Sequence, residues 1–144
     1  MKKDEFKKLY NQEVLKRNKR PYNFDADEEA DVVIEAYNPL CGDKFNLYLN
    51  KEDSDIKSAH FHGFGCALSK ASTSLLMELI EGRNKTEIVA LCHSFLEAVD
   101  SGSSKRLQNE VQKVFAEMKN FEGRVDCVTL SWKALYDKMK NDED

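Results

Sequence analysis

The sequence of 144 residues holds four cysteines, Cys41, Cys66, Cys92 and Cys127, and three histidines, His60, His62 and His93. Thiols serve as nucleophiles, as disulfide partners or as soft metal ligands, so the surroundings of each decide its use. Cys41 lies in Asn38-Pro39-Leu40-Cys41-Gly42-Asp43, where Pro39 and Gly42 predict a tight connection. Such a turn can aim the Cys41 sulfur and the Asp43 carboxylate at one point. Cys66 follows Gly63-Phe64-Gly65 at the predicted start of a helix, and Cys127 follows Gly123-Arg124-Val125-Asp126 at the start of the last one. Helix N-termini favour thiolate, and Arg124 is a further cation beside Cys127. Three sulfurs and one oxygen complete a four-coordinate set for zinc, and thiolates equally suit iron–sulfur clusters. The ligands come from distant segments and no CxxC pair is present, so spacing alone leaves open both a metal site and unrelated core thiols.

The other polar candidates are weaker. Cys92 falls within an apolar helical stripe and is expected in the core. His60 and His62 flank Phe61 on a strand and should share one face, as solvated groups or at the rim of the site. His93 neighbours Cys92, but on a helix it points away from it. The basic run from Lys16 to Arg20 is expected as a solvated helix end.

The elements that must position these residues follow from periodicity. Phe6, Leu9, Tyr10 and Val14 have helical spacing, and Pro21 stops that helix. Val32 to Tyr37 is rich in β-formers. Phe45, Leu47 and Leu49 alternate with Asn46, Tyr48 and Asn50, as in a strand with one buried face. Lys51 to Asp55 is a predicted turn and Ile56 to His62 a third strand, which suggests an antiparallel meander. After Gly65 the pattern is helical. Leu68, Ala71, Leu75, Leu76 and Leu79 share one face, with Gly82 as the stop. Asn84 and Glu87 form a predicted capping box before the stripe Ile88, Leu91, Cys92, Phe95, Leu96 and Val99. A turn at Ser101 to Ser104 leads to a helix marked by Leu107, Val111, Val114, Phe115 and Met118. Gly123 breaks it, and Val128, Trp132, Leu135 and Met139 mark the last helix. The terminal residues to Asp144 are expected to fray. The expected fold is α+β: a three-stranded antiparallel sheet packed by about five helices, as a single domain over 1–144.

Asp and Glu number 26 against 22 Lys and Arg, a net charge of −4, which disfavours a nucleic-acid-binding module. The longest stretch without a charged residue runs only from Ser58 to Ser69, too short for a membrane span. The opening MKKDEFKKLY carries acids and no apolar core, unlike a secretory signal, so a cytoplasmic location is expected. There disulfides are disfavoured, which raises the weight of metal or reactive-thiol roles.

Four ordered motifs resemble the U-type iron–sulfur assembly proteins, the SufU, IscU and NifU N-terminal-like family. They are Leu9 to Leu15 with Pro21-Tyr22-Asn23-Phe24, then Asn38 to Asp43, then Ile56 to Cys66 through Ala59, Phe61, Gly63 and Gly65, and finally Arg124 to Leu135 through Cys127, Leu130 and Trp132. The resemblance covers nearly the whole chain. It implies that Cys41, Asp43, Cys66 and Cys127 meet at one exposed edge and hold Zn2+, or iron in a transient [2Fe–2S] cluster. It implies a zinc-bound sulfur acceptor that takes persulfide sulfur through Cys41 from a SufS-like, pyridoxal-phosphate-dependent cysteine desulfurase. Downstream partners would be cluster-assembly or apo iron–sulfur proteins, and the alternative role is a scaffold on which a [2Fe–2S] cluster is built and passed on. Asp126 stands where IscU-like members carry histidine, and their Leu-Pro-Pro-Val-Lys motif is absent. Those departures, with the long segment between Cys66 and Cys127, look SufU-like. Asp126 could oppose ionisation of Cys127 or compete as a ligand, Arg124 could offset it, and the plainer expectation is a solvated helix cap.

Overall fold

The structure, a computed structural model, describes residues 2–117 and 124–141. Met118, Gly123 and the terminal residues 142–144, for which expectations were stated above, lie outside the described residues. The chain runs α1 (Lys3–Lys19), β1 (Val32–Tyr37), β2 (Lys44–Glu52), β3 (Asp55–Phe64), α2 (Ala67–Ile80), α3 (Lys85–Ser101), α4 (Glu110–Ala116) and α5 (Val125–Asn141). The strands form one antiparallel sheet in the order β1-β2-β3. The expected α+β architecture is therefore present.

Alternation explains the sheet. Phe45, Leu47 and Leu49 are fully buried and pair across with Ala36, Ile34 and Val32 on one side and Gly63, Phe61 and Ala59 on the other. That row faces the helices. The opposite face carries Glu35, Asn46, Tyr48, His60 and His62, so the two histidines do share it. His60 Nδ1 lies 2.6 Å from Asp25 Oδ1. The predicted turn at Lys51 to Asp55 is tighter than expected. Only Asp53 and Ser54 separate the strands, with Asp53 at φ 57° supplying the reversal that an aspartate tolerates.

The helix α2 departs most from its sequence pattern. Its apolar face is buried as expected, but Ser69, Ser72, Thr73 and Ser74 are buried as well. The helix is central, with the sheet, α1 and α5 around it. Short side chains let α5 approach, and their hydroxyls are paired. Ser72 Oγ donates to the Val128 carbonyl at 2.6 Å and accepts from Trp132 Nε1 at 2.9 Å. Thr73 and Ser131 hydroxyls meet at 2.6 Å. This polar seam registers α2 against α5, while the Trp132 ring stacks on Phe95 with centroids 3.8 Å apart.

Two other expectations are corrected. Arg17 is not solvated: it is 5% exposed, with Nε 3.1 Å from Glu13 Oε1, Nη1 3.4 Å from Ser74 Oγ and Nη2 3.5 Å from Glu78 Oε2. A guanidinium reaching three acceptors can be buried where a lysine would not be, and it ties α1 to α2. Leu107 lies before α4 in a turn rather than on a helix, yet it is buried, because its apolar side chain follows the core and not the period.

Candidate metal centre

Each element delivers its residue to one end of the sheet. After β1 the chain folds back on itself. The Gly42 amide donates to the Asn38 carbonyl at 2.8 Å, the Asn38 amide to the Asp43 carbonyl at 2.9 Å, and the Leu40 amide to Asn38 Oδ1 at 3.0 Å. Gly42 closes the turn at φ 79°, a conformation that glycine adopts without cost. Asp43 is then pulled inward to 4% exposure, while Cys41 stays exposed at the turn. At the end of β3, Gly63 passes so close to β2 that a Cβ there would lie 2.1 Å from the Lys44 carbonyl oxygen. The close passage brings Cys66 beside Asp43.

Cys66 is the residue that caps α2. Its backbone amide donates to Asp43 Oδ1 at 2.9 Å, its sulfur lies 3.6 Å from Asp43 Oδ2, and the sulfur accepts from the Ser69 amide at 3.4 Å. The Ser69 hydroxyl, 3.4 Å from the same sulfur, was not singled out in the sequence. Its only signal is its position three residues past the cap, where helix geometry returns a side chain to the N-terminus. Cys127 lies in the first turn of α5, held at this end by the seam with α2. One ligand atom from each of Asp43, Cys66 and Cys127 lies within 4.8 Å of the other two. Cys41 is not part of that group.

Electrostatics at Cys127 run against the expectation of a stabilised thiolate. Burial, then a hydrogen bond donated by the Cys127 thiol to Cys66 and the charge of Cys66, push the Cys127 thiol up to about 11. Arg124 Nη2, 4.0 Å from the Cys127 sulfur, acts in the opposite direction and is outweighed. The two sulfurs in turn, Cys66 foremost, hold Arg124 more firmly protonated than usual. Asp126 is exposed and is not one of the ligand group. It lines a groove of about 360 Å³ with Tyr37, Pro39 and Lys133. Cys92 is fully buried in α3, as expected, and burial raises its thiol to about 12.

Residues 9–109 match the family model of the NifU-like N-terminal domain. The chain belongs to the NifU-like N-terminal domain family. This NifU-like chain is 36% identical to the iron–sulfur cluster assembly scaffold protein IscU of Thermotoga maritima, over 94% of its own length and 95% of that relative. It is 28% identical to the zinc-dependent sulfurtransferase SufU of Bacillus subtilis, over 94% and 92% of the two chains. A solved structure from Fervidobacterium islandicum, described as an iron–sulfur cluster assembly scaffold protein for the SUF system, superposes with a TM-score of 0.76 at 30% identity, covering 86% of this chain and 91% of that one. Both IscU and SufU names occur among the relatives, so similarity alone does not select one branch of the NifU-like family.

The donor set fits a metal. Two sulfurs and a hard oxygen converge from three segments, and a divalent cation would displace the proton that burial holds on Cys127. Among the described residues no helix is long and apolar enough to cross a membrane.

Proposed function

We propose that this NifU-like chain is a sulfur acceptor in iron–sulfur cluster assembly, with Cys41 as the accepting residue. In this reading Asp43, Cys66, Cys127 and Cys41 together hold a zinc ion, and a pyridoxal-phosphate cysteine desulfurase is the donor. The observation that carries the reading is the contrast between Cys41 and the other ligands. Asp43 is buried and Cys66 and Cys127 are half-buried and bonded inward, whereas Cys41 is exposed on a turn closed by its neighbours' backbone bonds. A thiol that must reach a partner's persulfide needs that exposure.

The exchange balances simply. The Cys41 thiolate attacks the outer sulfur of the donor's persulfide; a bond forms from Cys41 to that sulfur, and the donor's own cysteine leaves as thiolate. No net oxidant is required. Leu40 at 91%, Phe64 at 70% and Tyr37 at 52% exposure form an apolar collar at this end of the sheet, suited to docking the donor. A bound zinc ion would supply redox-inert charge that keeps the thiols ionised and guarded from oxidation.

Native mass spectrometry before and after exposure to an active desulfurase and cysteine, without iron, tests this. One added sulfur on the wild type and none on Cys41→Ala is expected. Equal sulfuration of the variant would remove Cys41 from the role.

A scaffold role on the same residues is the second reading, supported by the name of the Thermotoga maritima relative. Here iron and sulfide are cargo. Anaerobic reconstitution giving a coloured cluster that passes to an apo-ferredoxin would support it, and a colourless product would count against it.

A further inference from the structure

At the end of α2 remote from Cys66 lies a second cleft, of about 360 Å³, walled by Leu79, Arg83, Leu91, Arg106, Leu107 and Gln112. The helix rises about 20 Å between the two ends, so the cleft is separate from the thiol cluster. Gln112 is 3% exposed, and its side-chain nitrogen is fully buried with no hydrogen-bond partner among the described residues. It is the only such side-chain atom among them. Buried amides are nearly always paired, so an orphaned donor on a residue that lines a cleft marks where an acceptor belongs.

The charges around it agree on the kind of acceptor. Arg83 spends its Nε on the Leu79 carbonyl at 2.6 Å, which fixes the guanidinium on the wall and leaves its terminal nitrogens for another partner. Arg106 is exposed at the rim. The acid on the same wall, Glu87, is already engaged, its Oε1 accepting from the Asn84 amide at 3.1 Å in the capping box. Two guanidinium groups and the Gln112 side chain therefore line a cleft whose remaining wall joins leucine and alanine to Glu87, Ser94, Gln108 and Asn109. Planar guanidinium donors match carboxylate and phosphate oxygens.

We propose that this cleft binds a small organic anion, with a carboxylate or phosphate head on Arg83, Arg106 and the Gln112 amide and an apolar body against Leu79, Leu91 and Leu107. The site is independent of the sulfur-acceptor reading.

The test is an NMR titration of the full chain at constant ionic strength with two probes of matched body, phenyl phosphate and benzoate. Saturable shifts of the Gln112 side-chain amide and the Arg83 Nε–H are expected. Binding by one probe alone names the head group, and binding by both names the shared oxyanion. Gln112→Met removes the orphaned donor and keeps the volume, so it should fold at least as well as wild type while binding about tenfold more weakly. Arg106→Gln, at the surface, should weaken binding by a similar factor. No saturable shift with either probe would overturn the proposal. So would wild-type affinity in either variant.

Discussion

Asp43 joins the fold to the chemistry. Its carboxylate is at once a member of the ligand group and the acceptor for the Cys66 amide at the start of α2. The two duties separate by substitution. Asn retains an oxygen for that amide but loses the charge, whereas Ala loses both. We expect Asp43→Ala to destabilise the metal-free chain by about 1–3 kcal/mol, the cost of a buried donor left unpaired, in chemical denaturation. Asp43→Asn should stay near wild-type stability while zinc affinity falls in competition titrations. Equal destabilisation by both would mean that charge, and not the hydrogen bond, holds the α2 terminus. Cys92 is the contrasting residue. With its thiol raised to about 12 by burial, it should resist iodoacetamide in the folded metal-free protein at neutral pH, while Cys41 is alkylated. Peptide mapping that found Cys92 labelled as fast as Cys41 would contradict its burial.

Among the elements, the segment from Pro21 to Phe24 shows how a single carboxylate organises a chain reversal. Glu81, at the end of α2, accepts from the Tyr22 hydroxyl, from Asn23 Nδ2 at 3.2 Å and from the Ala59 amide at 2.8 Å. It thereby ties the segment after α1 to β3. The hydrogen bond to Glu81, then burial, raises the Tyr22 hydroxyl from 10.0 to about 12. A folded-state value above the unfolded one means that the bond stabilises fully below pH 10.0, and that this share is lost as pH rises towards about 12. Tyr22→Phe should therefore melt lower than wild type at neutral pH, and the two melting curves should converge between those limits. A constant offset across that range would show that the stabilisation is not linked to ionisation of the hydroxyl, and coincident curves at neutral pH would show that the hydroxyl contributes nothing.

For the whole molecule the question is whether a metal makes the fold or only uses it. The described core is large, with Trp132, Phe45, Phe61, Phe95 and Phe115 all fully buried. A core of this size is large enough that we expect the chain to fold without a metal, unlike a zinc finger. Chelation should lower the melting temperature while leaving the helical circular-dichroism signal and a cooperative transition. Loss of the helical signal at room temperature would favour a structural zinc site and demote the exchangeable one.

Much of this was legible in order along the chain. Strand alternation at Phe45 to Leu49, the capping box at Asn84 and Glu87, the burial of Cys92 and the junction positions of Cys41, Cys66 and Cys127 follow from local chemistry, because period and turn residues act over a few positions. Other features needed the third dimension. The burial of Arg17 depends on Glu78 and Ser74, about 60 residues further on. Ser72 and Thr73 of α2 are buried because α5 lies on them, and no periodicity of α2 alone contains that. The raised Cys127 thiol has the same origin. Its neighbours in sequence suggested a thiolate, but burial and the Cys66 sulfur brought beside it outweigh Arg124. By itself the sequence determined which residues could ligate, because that is a property of side-chain types and motifs. Only the tertiary structure decided that Asp43, Cys66 and Cys127 converge while Cys41 stays exposed, because distances between remote segments are set by packing and not by spacing.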